Sequence, residues 1–488
     1  MSPLQTASHR RFKRLLPLAA VLAVAAGVGA WRMMFRVEPV RWARVEDQFA
    51  HGSIGAEPNQ GVPYYLWMVL PRVFPQYLPG PGGYASLGFT WVEGEELPVG
   101  FSKMTVGFPR VAINCAVCHT GTWRASPQGE RHVVPAAAST TVDMQAYQRF
   151  LMQAAADARF NADVLMPEIE YAARGLSASE RALYRNVLIP QTRDALLQLR
   201  RASVWQDTRP DWGPGRIDPF NQVKFVMLRQ PMDNSIGNSD MMPIWALRER
   251  QGKGMHWDGL QSDVHEVALS SALGDGASRV SLQPDEVRRV TDWLMDVQPP
   301  RHPFPVYPAK AELGRQVYAR AGCVGCHGTP GSWTARLVPV AQPGEPETMD
   351  RVATDRHRIG MWTQAAATTY NHFAAGYTWK FDKFRKQDTY LAAPLNGLWL
   401  RAPYLHNGSV PTLWHLLRPE KRPATFYRGY DVYDPAQVGW LHTVPNEGPV
   451  KFFLYDTSTP GNSNHGHAYG STLSEADKDA LLEYLKTL

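Results

Sequence analysis

The chain is short of cysteine: it has four in 488 residues, and none stands alone. They fall as Cys115 with Cys118 and Cys323 with Cys326, which leaves no spare thiol for an isolated nucleophile or an intermolecular bridge. Low-complexity tracts are also missing, which excludes a disordered or fibrous class. A net charge of +6 suggests a polyanion partner until its location is read. Residues 1–44 carry +7, from eight Lys and Arg against Glu38, so the remaining chain is left at −1. That body has no basic field for nucleic acid, and no nucleic-acid partner is expected.

Long apolar runs are reduced to one, the 17 residues Leu15 to Trp31, preceded by "RRFKR". It is long enough for a membrane anchor, while "VGA" at 28–30 fits the cleavage site of a signal peptide. Positive charge ahead of the run keeps the N-terminus in the cytoplasm and sends the body outside. The expectation is an exported protein on the periplasmic side of the inner membrane, tethered through residues 15–31, with a cleaved signal as the alternative.

What is present is a repeated device. Both cysteine pairs run straight into a histidine, as "CAVCH" at 115–119 and "CVGCH" at 323–327. Cys-x-x-Cys-His is the attachment signature of c-type haem. The thiols form thioethers with the haem vinyl groups, and the adjoining histidine is thereby placed to coordinate iron. Two covalently bound c-type haems are expected, held by Cys115, Cys118, Cys323 and Cys326, with His119 and His327 as proximal ligands. A shared zinc site would leave both histidines without a role, a thioredoxin-like pair lacks its βαβ context, and structural disulfides are the third rival.

The repeat extends beyond the motifs. "LQPDEVRRVTDWLMDV" (282–297) matches the C-terminal "LSEADKDALLEYLKTL" at a constant offset of 191, aligning Val290 with Leu481, Trp293 with Tyr484 and Leu294 with Leu485. Ser474 and Asp477 form a capping box, and an apolar stripe marks the terminal helix. "KAELGRQVYARAG" predicts an amphipathic helix with Leu313, Val317 and Tyr318 on one face. The fold expected is mainly α, two tandem cytochrome c-like domains with long irregular loops plus an N-terminal transmembrane or signal helix. The boundaries are 1–44 for that segment, 45–298 for the first domain with a helical insertion near 143–199, 299–308 for a proline-rich linker, and 309–488 for the second domain.

The position across the iron from each proximal histidine decides the chemistry: a strong sixth ligand makes an electron-transfer haem, and an open one admits an oxidant. For the second haem the candidates are His467, in the loop "GNSNHGHAYG", then His406 and His415. For the first haem no ligand stands out among His132, His256, Met227, Met232, Met241, Met242 and Met255, which favours an open site. Arg110, Arg216 and Arg401 are candidates for haem propionates, because guanidinium pairs well with carboxylate.

"NGLWLRAPYLHNGSVPTL" (396–413) resembles the bacterial di-haem cytochrome c peroxidase superfamily, and the likeness covers roughly residues 100–488. "WHLLRPEK" (414–421) departs from it, having neither the methionine nor the tyrosine that such proteins place there as a sixth ligand. "GPGRIDPFN", "PIWALRERQGKGMHWDG" and "LYDTSTPGNSNHGHAYG" are most similar to rubber-oxygenase-like di-haem proteins. That resemblance implies a dioxygen-binding haem on His119 and a second haem held by His327 and His467, with Trp245, Phe220 and Phe225 as pocket-wall candidates. The function expected is a di-haem oxidoreductase in which peroxide or dioxygen reacts at the first haem and the second relays electrons to or from a redox partner. The alternative is a membrane-tethered electron carrier without a substrate of its own.

Overall fold

The computed structural model describes residues 36–488 together with Val21, Val24, Gly27 and Val28. The Leu15–Trp31 run otherwise lies outside the described residues, and among these no helix is long and apolar enough to cross a membrane.

The mainly-α expectation does not hold, because helix accounts for 39% of the described residues and strand for 14%. The physical reason lies in composition and length. With 39 Gly and 39 Pro, the chain between helices is broken into short pieces, and many of these pair as two-residue to four-residue strands. Such strands are too short to show an alternating pattern. The largest sheet has four antiparallel strands, β1 (Val37–Glu38), β2 (Val62–Pro63), β3 (Phe101–Val106) and β4 (Phe108–Ile113), in the order β1-β3-β4-β2. β4 runs directly into the first cysteine motif.

Four helices show the repeat: α1 (Val45–His51), α2 (Pro284–Leu294), α3 (Pro308–Arg320) and α4 (Glu475–Leu485). α2 and α4 are both 11 residues long and share the sequence offset of 191 at both ends. Each closes on the helix that opens its half. Phe49 of α1 meets Trp293 of α2 at 5.3 Å between ring centroids, and Tyr318 of α3 meets Tyr484 of α4 at 5.4 Å. Trp293 and Tyr484 are aligned partners in the repeat, so the same aromatic clasp is built twice.

The face that α3 buries keeps Val317 and Tyr318 of the expected one but not Leu313. Ala311, Gly314, Val317 and Tyr318 are buried, whereas Leu313 is 56% exposed. A Cβ at position 314 would lie 1.9 Å from the Ala480 carbonyl oxygen, so glycine there sets how closely α3 and α4 approach. At the start of α4 the Ser474 hydroxyl accepts from the Asp477 amide at 3.1 Å. The Asp477 carboxylate pairs with Arg320 of α3, so only half of the expected capping box forms.

The region expected as a helical insertion contains helices Met144–Ala156, Ala162–Ala173 and Ile189–Ala202, and Asp143 and Asn161 cap the first two. Residues 297–307 have no regular structure, and Trp399 Nε1 donates to the Pro300 carbonyl at 2.9 Å. One apolar cluster draws on both halves, joining Phe49, Ala116 and Trp245 to Val317, Trp399, Tyr404 and Leu481. A buried ion pair at 2.7 Å, Arg124 with Asp431, ties them again.

Candidate haem centres

The first motif is presented by the sheet. Leaving β4, Asn114 turns the chain: its Oδ1 accepts from the Ala116 amide at 2.9 Å, and its Nδ2 donates to the Gly52 carbonyl at 2.9 Å. Cys115–Val117 then form a short 3-10 turn, and the His119 amide bonds back to the Cys115 carbonyl at 3.2 Å. His119 Nδ1 lies 2.8 Å from the Met242 carbonyl. A carbonyl only accepts, so the proton sits on Nδ1 and Nε2 keeps its lone pair. Burial lowers the pKa of this imidazole to about 4, which keeps it neutral and able to ligate.

Cys115, Cys118 and His119 open onto a cavity of about 580 Å³, a volume in the range of cofactor sites. Phe220, His256, Asp275 and Arg250 also line it. Two further lining residues, Arg358 and Tyr370, come from the second half of the chain. Asp275 lies close enough to both cysteines to raise their pKa values after burial has done so, and burial raises its own to about 7. None of the four cysteines is paired in a disulfide. Paired thiols, a neutral imidazole with a free nitrogen and an apolar cavity are the chemistry that a c-type haem requires.

The second motif sits at the end of α3, where Val324–His327 make one helical turn. Its histidine is oriented as the first one is: His327 Nδ1 lies 2.8 Å from the Ala393 carbonyl, and burial again holds its pKa down. Opposite it stands His467, with 6.2 Å between ring centroids. Two imidazoles bound to one metal at about 2 Å each place their centroids about 6 Å apart. Burial lowers the pKa of His467 to about 3.

The His467 loop is clamped from both sides. Glu347 accepts from the His467 amide at 2.7 Å and from the Ala468 amide at 2.6 Å. Arg422 donates to the carbonyls of Asn464, Gly466 and His467. Gly466 has φ of +82°, and a Cβ there would fall 2.3 Å from the Ala353 carbonyl oxygen. The loop can therefore carry His467 to its place opposite His327 only with glycine before the histidine.

The other candidates occupy other places. His406 stacks on Tyr390 at 4.1 Å, with its Nε2 4.0 Å from Asp355. His415 Nδ1 is 2.7 Å from the Thr412 hydroxyl. His132 stacks on Trp123 at 4.2 Å. Met241, Met242, Met255 and His256 line the first cavity, while Met227 and Met232 do not. Among the described residues no ring contact with His119 matches that of His467 with His327, but His256 shares its cavity, lies near enough for the two charges to interact, and has a buried Nε2 without a hydrogen-bond partner. Of the pocket-wall candidates, Phe220 lines the cavity and packs on His256 at 5.4 Å, whereas Trp245 and Phe225 lie outside it. Arg110 lines the cavity, Arg216 is fully buried over Tyr455, and Arg401 donates to the carbonyls of Pro394 and Asn396.

Glu347, Arg422, Asp275 and Arg250 are functional candidates that the sequence did not single out. "GEPETMD", "GDG" and "RERQGK" hold three of them and "EKRPAT" holds Arg422; none carries a local motif, and only tertiary packing brings the four to the cysteine motifs and the His467 loop.

The family profile described as "RoxA-like, cytochrome c-like" matches residues 389–427, the stretch containing Ala393, Arg401 and His406. Two proteins of Sinorhizobium fredii (strain NBRC 101917 / NGR234) are similar to this chain. The one named "Uncharacterized protein y4iJ" is 45% identical over 109 residues, 20% of this chain and 18% of that protein. The other, "Uncharacterized protein y4iM", is 28% identical over 298 residues, 51% of this chain and 64% of that protein. The chain thus spans less than two thirds of either relative. The profile match supports a relationship to rubber-oxygenase-like c-type cytochromes, and with it covalently bound c-type haem.

Proposed function

We propose that the chain is a di-haem c-type oxidoreductase in which the centre on His119 reacts with peroxide or dioxygen, while the centre on His327 and His467 passes electrons to or from a redox partner. The observation that carries this reading is the difference between the centres. His327 faces a second imidazole 6.2 Å away, and His119 faces a cavity of about 580 Å³ that has His256 in its wall. Haem bound at the open centre would supply the one-electron chemistry that activates an oxidant.

The chain's own residues prepare each centre. The Met242 and Ala393 carbonyls hold the Nδ1 protons of His119 and His327, fixing tautomer and ring orientation. Burial keeps His467 neutral, so its lone pair is available at neutral pH. Phe220 and Met255 contribute apolar surface to the cavity that His119 opens onto.

The test is an EPR and electronic spectrum of the haem-loaded protein before and after addition of peroxide or dioxygen. One low-spin haem that ignores the oxidant and one haem that responds to it are expected. Two unresponsive low-spin haems would replace this reading with an electron carrier.

A further inference from the structure

Five consecutive residues, Ala392 to Asn396, form a junction between the two centres. Trp333 Nε1 donates to the Ala392 carbonyl at 2.7 Å, and His327 Nδ1 donates to that of Ala393 at 2.8 Å. Arg401 donates to the carbonyls of Pro394 and Asn396, and Trp245 Nε1 donates to Asn396 at 3.0 Å. The proximal histidine of the second centre thus shares one short backbone run with a tryptophan from the first half. Two arginines flank this run. Arg401 lies over the Trp245 ring at 5.8 Å, and Arg250, which lines the first cavity, lies over the Trp333 ring at 5.8 Å.

These arginines are unusual in what they lack. Arg250 is 6% exposed, and its Nε and Nη2 have no hydrogen-bond partner. Arg401 spends both Nη groups on carbonyls and leaves Nε without a partner. Among the described residues neither arginine forms an ion pair, although Glu249 is near enough to receive a bond from Asn396 Nδ2 at 3.5 Å. Burial, followed by the charge of Arg250, brings the pKa of Arg401 down to about 9, and burial brings that of Arg250 to about 10. Two neighbouring guanidinium groups removed from water without a carboxylate are costly, and a pair of anions delivered to them removes that cost. Two other arginines near the motifs are already engaged. Arg336 bonds Asp350 and approaches the Cys326 sulfur at 3.6 Å, and Arg358 pairs with Asp258 at 3.1 Å.

We infer that Arg250 and Arg401 form a shared cationic seat between the centres, Arg250 taking a propionate of the haem on His119 and Arg401 a propionate of the haem on His327. This inference rests on the di-haem reading above. It goes beyond that reading in assigning the carboxylate ends of both haems to one junction, so that the two groups are turned toward each other. Removing a cation from beside a propionate leaves more negative charge near the iron, which favours its oxidised form.

The experiment uses the haem-loaded protein and its variants Arg250→Gln and Arg401→Gln. Covalent haem is counted by pyridine haemochrome, and each haem is titrated spectroelectrochemically. Full haem content is expected in both variants. Arg250→Gln is expected to shift the haem on His119 about tenfold toward its oxidised form, and Arg401→Gln to shift the haem on His327 likewise, tenfold being about 59 mV for one electron. Potentials unchanged within about twofold in fully loaded, folded variants would overturn the seat, twofold being well under that shift. Should either glutamine variant fail to fold, its methionine counterpart, which is uncharged, unbranched and apolar, takes its place. A shift of about threefold or more in the same direction then supports the seat, and a smaller one overturns it. Wild-type protein carrying no covalent haem would instead overturn the di-haem reading itself.

Discussion

The imidazoles of His327 and His467 stand 6.2 Å apart between centroids although 140 residues of sequence separate them, and Glu347 and Arg422 clamp the loop that brings them together. His467→Ala is therefore expected to convert the second haem from low spin to high spin, seen in EPR. His406→Ala is expected to leave that signal in place, because His406 packs against Tyr390. Loss of the low-spin signal in the His406 variant alone would exchange the two assignments.

The motifs make a stoichiometric prediction. Cys118→Ala together with His119→Ala is expected to lower covalent haem from about two to about one per chain, and the same pair of changes at Cys326 and His327 is expected to do so independently. Pyridine haemochrome measured against protein concentration checks this. A wild-type ratio of about one would leave one motif without haem.

Gly314→Ala places a methyl group where the Ala480 carbonyl oxygen now lies, 1.9 Å from the new Cβ. The backbones of α3 and α4 must separate to admit it. A loss of about 2 kcal/mol is expected from such overpacking, measured as a lower denaturation midpoint. Leu313→Ala on the same helix is the control, and because Leu313 is 56% exposed a much smaller loss is expected.

Asp275 gives stability a pH dependence. Burial raises its carboxyl from the usual 3.8 to about 7 in the folded chain, so the folded state holds the proton more tightly than the unfolded one. Its favourable contribution is complete below about pH 4 and is lost as pH rises through about 7. Asp275→Asn imitates the protonated form and should gain on the wild type between about pH 5 and pH 8, by roughly 1–2 kcal/mol. Thermal unfolding at several pH values reads the difference. A difference that stays constant across that range would show that Asp275 does not titrate there.

Some of this organisation could be read along the chain. The cysteine motifs are contiguous, and the paired helices α2 and α4 keep their apolar spacing at a fixed offset of 191, so local pattern was sufficient. α1 was not read as a helix because its seven residues are too few to establish a period, even though Phe49 repeats the role of Tyr318. The strand content was missed for the same reason. Arg250 and Glu347 lie in charged segments that look solvated, and their partners are distant in sequence. Leu313 was placed on the buried face by its apolar character, but backbone contact at Gly314 decides which side of α3 meets α4.

The wall of the first cavity borrows Arg358 and Tyr370 from far downstream of Cys115 and Cys118. During synthesis the first thiols emerge well before those residues exist, so for a time their pocket stands open on one side. Folding of the later segment then closes it. Cofactor delivery to the first motif thus meets a different pocket before and after the later segment folds, although Cys115 and Cys118 stay partly exposed in the finished chain. Biogenesis, as much as reactivity, is shaped by having one half of the molecule finish the pocket of the other.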